Sequence, residues 1–415
     1  MTMLSTTART RVGASRMLKH TYLSAIGDPN DLHTLSGMPY YMLQEGLAQG
    51  VFAGCLQLGN NGFATHVRRW GWNLAQATTV GGVGGYQYSQ SFLERVWAPY
   101  RRLLAGKRVI NLFQLCAPSI LADPDIEKWF FVDLSLKQLF DEYHCRQDVG
   151  WRIARAALRR EAEGYARADG VIAASRYTAD GLVKDAGVPR ERIHIIHPAA
   201  SLDWEHYARW EASVSDRREA EEEVPRDLRL VTVVEHWHRK GLDRLLGGLA
   251  LARRQGLRAS LRVIGCVRES LPENLRDVSG VEWLGFVNKS PDPSRYMQLV
   301  SECDIGCLLS RAEATGLAVR DYQALGLVVF GTNAGGAADF HYPESTVEVR
   351  TTDDNEIIAQ KLLSLEHDPQ CVARLRRAAW RLRRQALWGP AIEQLATLWG
   401  AKAETEAGDL RERSG

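Results

Sequence analysis

Short runs of β-branched and other apolar residues recur along the chain and alternate with stretches of helix-like periodicity. This alternation predicts parallel strands joined by helical crossovers. In the first half the predicted strands are residues 51–57, 109–115, 129–133, 171–174 and 193–196; in the second half they are 229–235, 261–265, 281–284, 305–309 and 327–331.

Residues 203–227 separate the two sets of strands; they are charged, contain a proline and show no strand pattern. We interpret this stretch as an interdomain connection that holds a charged helix or loop. A chain of 415 residues is also too long for one ordinary core. The sequence therefore predicts an α/β protein with two doubly wound, Rossmann-like domains that face each other across a cleft. The predicted segments are an N-terminal domain over 1–203, a connection over 204–227, a second domain over 228–385, and over 386–415 a C-terminal helix that packs back toward the first domain, followed by a flexible tail.

The composition is that of a globular protein, with 45% hydrophobic and 25% charged residues. A net charge of +2 gives no reason to expect nucleic acid as a partner. The seven cysteines show no Cys-x-x-Cys spacing, which favours free thiols in a reducing compartment. No apolar run approaches the roughly 20 residues that span a bilayer, and the basic N-terminus lacks a secretory apolar core. We therefore expect a cytoplasmic protein.

Two adjacent cations, Arg239 and Lys240, lie where the strand 229–235 leads into a predicted helix over 242–254. The first amides of a helix and its dipole attract anions, so a diphosphate is the expected ligand. The negative charge that it gains as a leaving group would be stabilised there. His236 and His238 lie beside the pair, and packing or phosphate contact fits them better than zinc, because no further ligands occur at metal spacing. The alternative is a basic pair on a surface turn.

A second candidate segment follows the strand 305–309 and runs from Ser310 to Asp321. Gly316 permits close approach of a ligand, and the amides of Leu317 and Ala318 open a helix. Glu313 and Asp321 flank that turn, and carboxylates accept hydrogen bonds from sugar hydroxyls. The alternative is two solvated acids at a helix start.

Two further loops are weaker signals. A glycine-rich turn over 331–339 is an ordinary structural feature by itself. The loop 31–41 leads into a helix predicted over 39–49, with Ser36 as a cap and Pro39 in the first turn. Such a loop either closes over donor phosphates or simply starts a helix.

The order of these segments resembles that of the retaining glycosyltransferases of family 4, which have the GT-B fold. The resemblance runs from about residue 17 to residue 400 and rests on SG-MPYY, ADGVIAASRYTADGLV, GVPRERIHIIHPAASLD, HRKGLDRLLGGLALAR, LRVIG, WLGFVNKS, DIGCLLSRAEATGLAVRDYQALG and GTNAGGAADF. The order of the motifs is much more specific than any one of them.

The resemblance implies roles for particular residues. Arg239 and Lys240 match the pair that grips the donor diphosphate, and Glu313 matches the acid that positions the donor sugar. Asp321 matches the acid that holds the ribose hydroxyls. The remaining implied donor contacts are Phe286 and Val287 beside the base, Gly37 beside the phosphates, and Gly316, Leu317 and Ala318 at the helix start.

This sequence departs from the family at three acids. Asp321 and Asp339 stand where glutamate is usual, so a ribose contact by Asp321 is lengthened or water-mediated. Asp133, at the end of a strand, takes the place of a histidine near the reacting sugar in many relatives. It is a catalytic candidate that stabilises an oxocarbenium-like transition state or accepts a proton. The alternative is that Asp133 caps the helix that follows.

The expected activity is retaining transfer of a sugar from a nucleotide diphosphate donor to a glycan, lipid-linked glycan or small-molecule acceptor. The leaving diphosphate helps to deprotonate the acceptor, and no cofactor or metal ion is expected. The alternatives are a nucleotide-sugar epimerase or phosphorylase of the same fold and an inactive sugar-binding protein.

Arginines and aromatic residues in the first half suggest weak, salt-sensitive contact with an anionic membrane. The alternatives are solvated arginines, aromatic residues in the core of the first domain, and aromatic faces that stack on a soluble glycan. The aromatic candidates are Trp70, Trp72, Tyr86, Tyr88, Trp97 and Tyr100.

Overall fold

The computed structural model describes residues 20–59, 62–79, 84–143, 149–220, 227–290 and 292–413, without the side chains of 78–79, 216–220 and 401–413. The basic segment at the N-terminus and Cys145 lie outside the described residues. The chain divides into two compact units. Of the described residues, the first takes in those up to Ala174, Thr178–Ile196 and those from Trp388 onward, and the second takes in Ser175–Tyr177 and those within His197–Leu387.

The first unit contains a parallel sheet with the strand order β2-β1-β3-β4-β5-β6. Its inner strands are almost wholly buried, as expected for a parallel sheet covered on both faces. The strands are β1 (Thr21–Ile26), β2 (Gly54–Leu58), β3 (Arg108–Asn111), β4 (Glu127–Val132), β5 (Gly170–Ala173) and β6 (Ile193–Ile195).

The second unit contains a parallel sheet with the order β12-β11-β10-β7-β8-β9. The order reverses between β7 and β10, which makes the carboxyl ends of these two strands the switch point of a doubly wound sheet. The strands are β7 (Leu228–Val233), β8 (Ala259–Ile264), β9 (Val281–Gly285), β10 (Ile305–Leu308), β11 (Val328–Thr332) and β12 (Thr346–Val349).

Helices surround both sheets and cover their apolar faces. In chain order they are α1 (Met38–Ala48), α2 (Phe63–Thr79), α3 (Gln90–Trp97), α4 (Arg101–Leu104), α5 (Pro118–Leu121), α6 (Leu136–Glu142), α7 (Trp151–Arg167), α8 (Arg176–Ala186), α9 (Trp204–Ala220), α10 (Leu242–Arg254), α11 (Glu273–Arg276), α12 (Ser294–Ser301), α13 (Leu317–Ala324), α14 (Asn355–His367), α15 (Pro369–Leu382) and α16 (Trp388–Arg413). Among the described residues, none of these helices is both long enough and apolar enough to cross a bilayer.

All ten predicted strands are present within a few residues, but the pattern missed β1 and β12. β1 reads TYLSAI, in which polar residues interrupt the apolar run, although its side chains are largely buried. β12 reads TVEV, a four-residue edge strand with an exposed glutamate. Edge strands are short and polar because one side has no neighbour to pair with, so they give a weak signal.

The predicted connection over 204–227 holds a charged helix, as expected, but this helix, α9, belongs to the second unit and does not lie between the two. Tyr207 on this helix is fully buried in the core of the second unit. Glu211, one turn later, accepts hydrogen bonds from Arg383 at 2.8 Å and Arg384 at 2.6 Å. These contacts draw α9 into the second unit, whose main segment starts at His197, before the predicted boundary at 203/204.

Most of the aromatic residues proposed for a surface of the first unit are core residues. Tyr86, Tyr88 and Trp97 are buried. Trp72 and Tyr100 are partly buried and pack against the same core. Trp70 alone of the six is exposed, so the alternative of aromatic residues in the core of the first domain is confirmed for the other five.

The last helix, α16, is part of the core of the first unit. Trp399 is fully buried, with its ring 6.0 Å from that of Trp129 and 6.4 Å from that of Phe52. The guanidinium of Arg108 lies 4.6 Å from the Trp399 ring, a cation–π distance. The helix therefore contributes to the folding of a unit whose other elements lie more than 190 residues earlier in the chain.

We expect Trp399→Ala to lower the free energy of unfolding by about 3–5 kcal/mol, because it empties a large buried volume. Gln394→Ala, an exposed position on the same helix, is the control and should change it by less than about 0.5 kcal/mol. Denaturant unfolding followed by circular dichroism measures both. Equal stability of the two variants would show that α16 is dispensable for this core.

Candidate functional site

The candidate site lies at the switch point of the second sheet. β7 and β10 are neighbours, and the loops that leave their carboxyl ends carry Arg239, Lys240 and Glu313. Parallel strands present their carboxyl ends at one edge, so two segments about 70 residues apart in sequence meet there. The sequence predicted each loop separately, and the structure brings them together.

Gly241 makes this meeting possible. Its φ is +68°, and a β-carbon there would lie 1.8 Å from the carbonyl oxygen of Leu309, so a side chain has no room. The Arg311 amide also donates to the Arg239 carbonyl at 2.8 Å. The loop before α10 is therefore pinned against the end of β10, which fixes where Arg239 and Lys240 emerge.

Glu313 is a buried carboxylate with several donors. Lys240 Nζ lies 2.5 Å from its Oε2, the Ser310 hydroxyl donates to Oε2 at 2.9 Å, and the Gly316 amide donates to Oε1 at 3.3 Å. Burial acts to raise the pKa of Glu313, but the charges of Lys240 and Arg239 outweigh it and hold this pKa below its usual range. The side chain is therefore an anion at neutral pH.

Arg239 is the second cation at this carboxylate. Its Nη1 lies 3.9 Å from Glu313 Oε2 and donates to the Ala312 carbonyl at 3.2 Å. The side chain of Arg239 is 28% exposed and that of Lys240 is 17% exposed. Both cations therefore retain surface toward solvent while they hold Glu313.

The turn before α13 is built on glycines. Gly316 is the N-cap of α13 with φ +58°, and Leu317 and Ala318 begin the helix. The Gly336 amide donates to the Glu313 carbonyl at 2.9 Å. A β-carbon at Gly335 would lie 2.3 Å from the Glu313 carbonyl oxygen, and one at Gly336 would lie 2.0 Å from that of Ala314. The glycine-rich turn, ordinary from sequence alone, is a support for the Glu313 loop.

Asp321 is enclosed. It accepts hydrogen bonds from the Ser201 amide at 2.7 Å, Lys289 Nζ at 2.6 Å and the Tyr296 hydroxyl at 2.7 Å. Its side chain is only 3% exposed, whereas that of Lys289 is 24% exposed. The Lys289 ammonium also lies 4.0 Å from the centre of the Tyr296 ring. The group presented to solvent here is thus an ammonium, and Asp321 lies behind it.

The sequence alone gave Lys289, which lies within WLGFVNKS, no role. The signal that it offered here was Asp321, which stands where the family pattern has glutamate. In the same segment Phe286 is 74% exposed, and Val287 is partly buried against the core of the second unit. The exposed ring of Phe286 is available to stack on a planar group.

Arg311 was also missed as a supporting residue. Its guanidinium forms a paired contact with Asp243, at 2.8 and 2.6 Å, and donates to the His238 carbonyl at 2.6 Å. It thereby ties the Glu313 loop to the start of α10. His238 packs edge-on against Trp237.

In the first unit, Gly37 follows β1 and is the N-cap of α1 with φ +82°. The prediction that Ser36 caps this helix is wrong. Ser36 makes no side-chain cap and, like Leu35, has a left-handed backbone, with φ values of 58° and 45°. Left-handed backbone at two successive residues with side chains is strained. Pro39 lies in the first turn, as predicted.

Asp133, also in the first unit, does not cap α6. Ser135 is the cap: its hydroxyl accepts from the Gln138 amide at 3.2 Å, and the Gln138 side chain accepts from the Ser135 amide at 3.0 Å. Asp133 accepts from the Leu134 amide at 2.8 Å. Burial raises the pKa of Asp133 despite that hydrogen bond. The capping alternative is therefore removed, and the catalytic role stays a prediction.

Asp339 accepts a hydrogen bond from the Arg176 amide. Across the part of the chain that the structure describes, no three His, Cys, Asp or Glu side chains are grouped so as to hold a metal ion. The charged groups of the candidate site are instead cations around one buried carboxylate, an arrangement suited to an anionic ligand.

Two segments of the chain match family models. Residues 227–368 match Glycosyl transferases group 1, and residues 134–204 match Glycosyltransferase Family 4. The first of these segments contains the whole candidate site of the second unit. No curated protein sequence matches the chain.

Solved structures match over nearly the whole chain. Sucrose-phosphate synthase from Thermosynechococcus elongatus is 14% identical, with a TM-score of 0.65 over 93% of this chain and 100% of that one. HepE from Anabaena, solved with UDP, is 13% identical, with a TM-score of 0.60 over 92% and 100%. WaaG, a glycosyltransferase involved in lipopolysaccharide biosynthesis, is 14% identical, with a TM-score of 0.55 over 91% and 99%. At these identities the likeness establishes the fold, which is GT-B.

The pairing of Lys240 with Glu313 has a consequence for stability. Lys240→Met leaves the buried carboxylate with its two neutral donors and the more distant cation Arg239, and we expect a loss of about 3 kcal/mol near neutral pH. The pKa of Glu313, low in the native protein, should then rise because burial is no longer opposed. The native pairing stabilises above the unfolded pKa of Glu313 and is lost as the pH falls through the lower folded pKa, so the deficit should shrink with acidification.

Denaturant unfolding as a function of pH measures this effect. The double variant Lys240→Met/Glu313→Gln should recover much of the loss, because no buried charge remains. Lys137→Met removes an exposed partner of Asp141 and should cost less than about 0.5 kcal/mol. A deficit in Lys240→Met that is independent of pH would contradict the assignment.

Proposed function

We propose that this chain, a group 1 glycosyltransferase with the GT-B fold, transfers a sugar with retention from a nucleotide diphosphate donor to a glycan, lipid-linked glycan or small-molecule acceptor. The observation that carries the proposal is the pair of cations at the switch point of the second sheet, held around a buried carboxylate. HepE, a protein of the same fold, has been solved with UDP and with UDP-glucose, which supports a nucleotide-sugar donor here.

In this proposal the donor diphosphate binds to Arg239, Lys240 and the first amides of α13. Both side chains are partly exposed, and the helix start adds unpaired N–H groups and the positive end of a dipole. Negative charge develops on the diphosphate as the bond to the sugar breaks. Cations already fixed by Glu313 stabilise that charge without first having to reorganise.

Glu313 has two functions in the proposed mechanism. It orients Lys240, and its carboxylate lies at the start of α13, where the donor sugar would bind beside the diphosphate. An anion there favours positive charge on the sugar in an oxocarbenium-like transition state. The leaving diphosphate accepts the acceptor's proton, so the proposal requires neither a protein nucleophile nor a metal ion.

The nucleoside is proposed to bind along Phe286, Val287 and Lys289. The exposed Phe286 ring offers a stacking face for the base. Asp321 is enclosed, so we assign it a positioning role in place of the direct ribose contact that the resemblance implied. It holds Lys289, whose ammonium donates to the ribose or phosphate oxygens. The donor role of Gly37 and the catalytic role of Asp133 in the first unit stay predictions.

Thermal-shift measurements test the donor class. We expect UDP, GDP or one of their sugar conjugates to raise the melting temperature, because a ligand that binds only the folded state stabilises it by mass action. Arg239→Ala should weaken that binding by about 1.5–3 kcal/mol, the range for a charge-assisted hydrogen bond. Arg258→Ala, an exposed arginine beside Glu366 in the same unit, is the control and should bind normally.

If no nucleotide diphosphate or nucleotide sugar stabilises the protein, the proposed function is wrong. Slow donor hydrolysis without acceptor would argue against an inactive sugar-binding protein. Isomerisation of the free nucleotide sugar would identify an epimerase.

The roles of Lys289 and Asp321 are separable by a double-mutant cycle. Lys289→Met and Asp321→Asn should each raise the donor KM about tenfold with a smaller change in kcat, and the double variant should be no worse than either. Tyr296→Phe keeps the ring beneath Lys289 and should have a milder effect. Normal donor affinity in Lys289→Met together with weak binding in Asp321→Asn would restore the direct ribose contact.

A further inference from the structure

Helix α2 presents an apolar stripe to solvent. Phe63, Val67, Trp70 and Leu74 are spaced by four, three and four residues, which places them within about 60° of one another around the helix. Phe63 is 85% exposed and Trp70 is 68% exposed, and the other two are about half exposed. A helix on a globular protein normally turns its apolar face to the core, and this one does the reverse.

The opposite face of α2 holds the helix in place. The Trp72 indole N–H donates to the Gly84 carbonyl at 2.9 Å, and Asn73 accepts from the Gly84 amide at 3.0 Å. The Trp72 ring packs against the buried Tyr86 with centroids 5.9 Å apart. Because the helix is attached through these residues, the outward stripe is not required to attach it to the first unit.

Helix α2 itself carries no acidic residue. Residues 63–79 contain Arg68 and Arg69 and no aspartate or glutamate. The helix also borders a pocket of about 340 Å³ that has no acidic residue in its lining; Trp72 and Gln76 line it together with Ser89, Ser91, Arg152 and Arg160. Two guanidinium groups and two hydroxyls in one pocket suit a phosphate group. Beside it, Trp151 is 59% exposed with the Arg152 guanidinium 5.3 Å from its ring.

We propose that α2 is a docking surface for a bilayer that contains anionic phospholipids. The stripe of Phe63, Val67, Trp70 and Leu74 enters the boundary between headgroups and acyl chains, with the helix parallel to the membrane plane. Arg152 and Arg160 contact a headgroup phosphate in the neighbouring pocket. Exposed tryptophans with arginines beside them are the side chains that the membrane interface favours. Docking requires neither donor nor acceptor, so it stands apart from the proposed sugar transfer.

Vesicle flotation of the full chain, without nucleotide, tests the docking surface. We expect the protein to float with vesicles of phosphatidylcholine mixed with phosphatidylglycerol, more strongly at low salt, and to stay behind with phosphatidylcholine alone. The double variant Phe63→Ser/Trp70→Ser should lower the partition coefficient at least about tenfold. Leu47→Ser/Ile357→Ser removes two exposed apolar side chains elsewhere and should float like the native chain.

Arg152→Ala/Arg160→Ala should reduce flotation with the anionic vesicles and flatten its salt dependence. Circular dichroism and the UDP thermal shift, repeated on each variant, separate a loss of docking from a loss of fold or of donor binding. Failure of the native chain to float, or equal flotation of Phe63→Ser/Trp70→Ser, overturns the proposal. A third result would also overturn it: the native chain self-associates in light scattering, Phe63→Ser/Trp70→Ser abolishes that association, and neither protein binds vesicles. The stripe would then be an interface between two copies of the chain.

Discussion

The Glu313 carboxylate is buried inside the second unit, and the surrounding loops supply the cations and hydrogen-bond donors that offset its desolvation. A buried carboxylate is unfavourable unless a cation and hydrogen-bond donors satisfy it. Lys240, Ser310 and the Gly316 amide supply them. The position of Lys240 depends in turn on Gly241, where the backbone meets Leu309 too closely for a side chain. A substitution at any of these residues therefore changes the position or the hydrogen bonding of the others.

The same requirement applies to Asp321, one of the three acids at which the sequence departs from the family pattern. Asp321 is also buried, and it too has a cation, Lys289, together with a hydroxyl and a backbone amide. Glu313 and Asp321 thus each hold a lysine whose side chain keeps some exposure to solvent. In the proposed mechanism the acids act largely through the cations that they hold. Substitution of Glu313 or Asp321 then removes a negative charge and also changes the position of the lysine that the acid holds.

Among the described residues, helix α2 differs from the other helices in that its most apolar side chains are exposed to solvent. Its polar and aromatic residues attach it to the first unit, and its most apolar residues point outward. An exposed stripe of this size is unfavourable in water, because each large side chain leaves apolar area hydrated. The stripe therefore indicates a binding surface. Tyr86, Tyr88 and Trp97, which belong to the same unit, are ordinary core residues.

The sequence by itself determined the fold class and ten of the twelve strands found among the described residues, because strands buried on both faces read as apolar runs. It also placed Arg239, Lys240, Glu313 and Gly316 on the turns where they are found, since turn glycines and charged residues at strand ends are local signals. Only the tertiary structure decided which groups meet. Asp321 accepts from the Ser201 amide, 120 residues away, and α9 joins the second unit through Arg383 and Arg384. Contacts between distant segments leave no periodic trace in the sequence. Nor does periodicity say whether an apolar stripe faces the core or the solvent, because the spacing of Phe63, Val67, Trp70 and Leu74 is the same in either case.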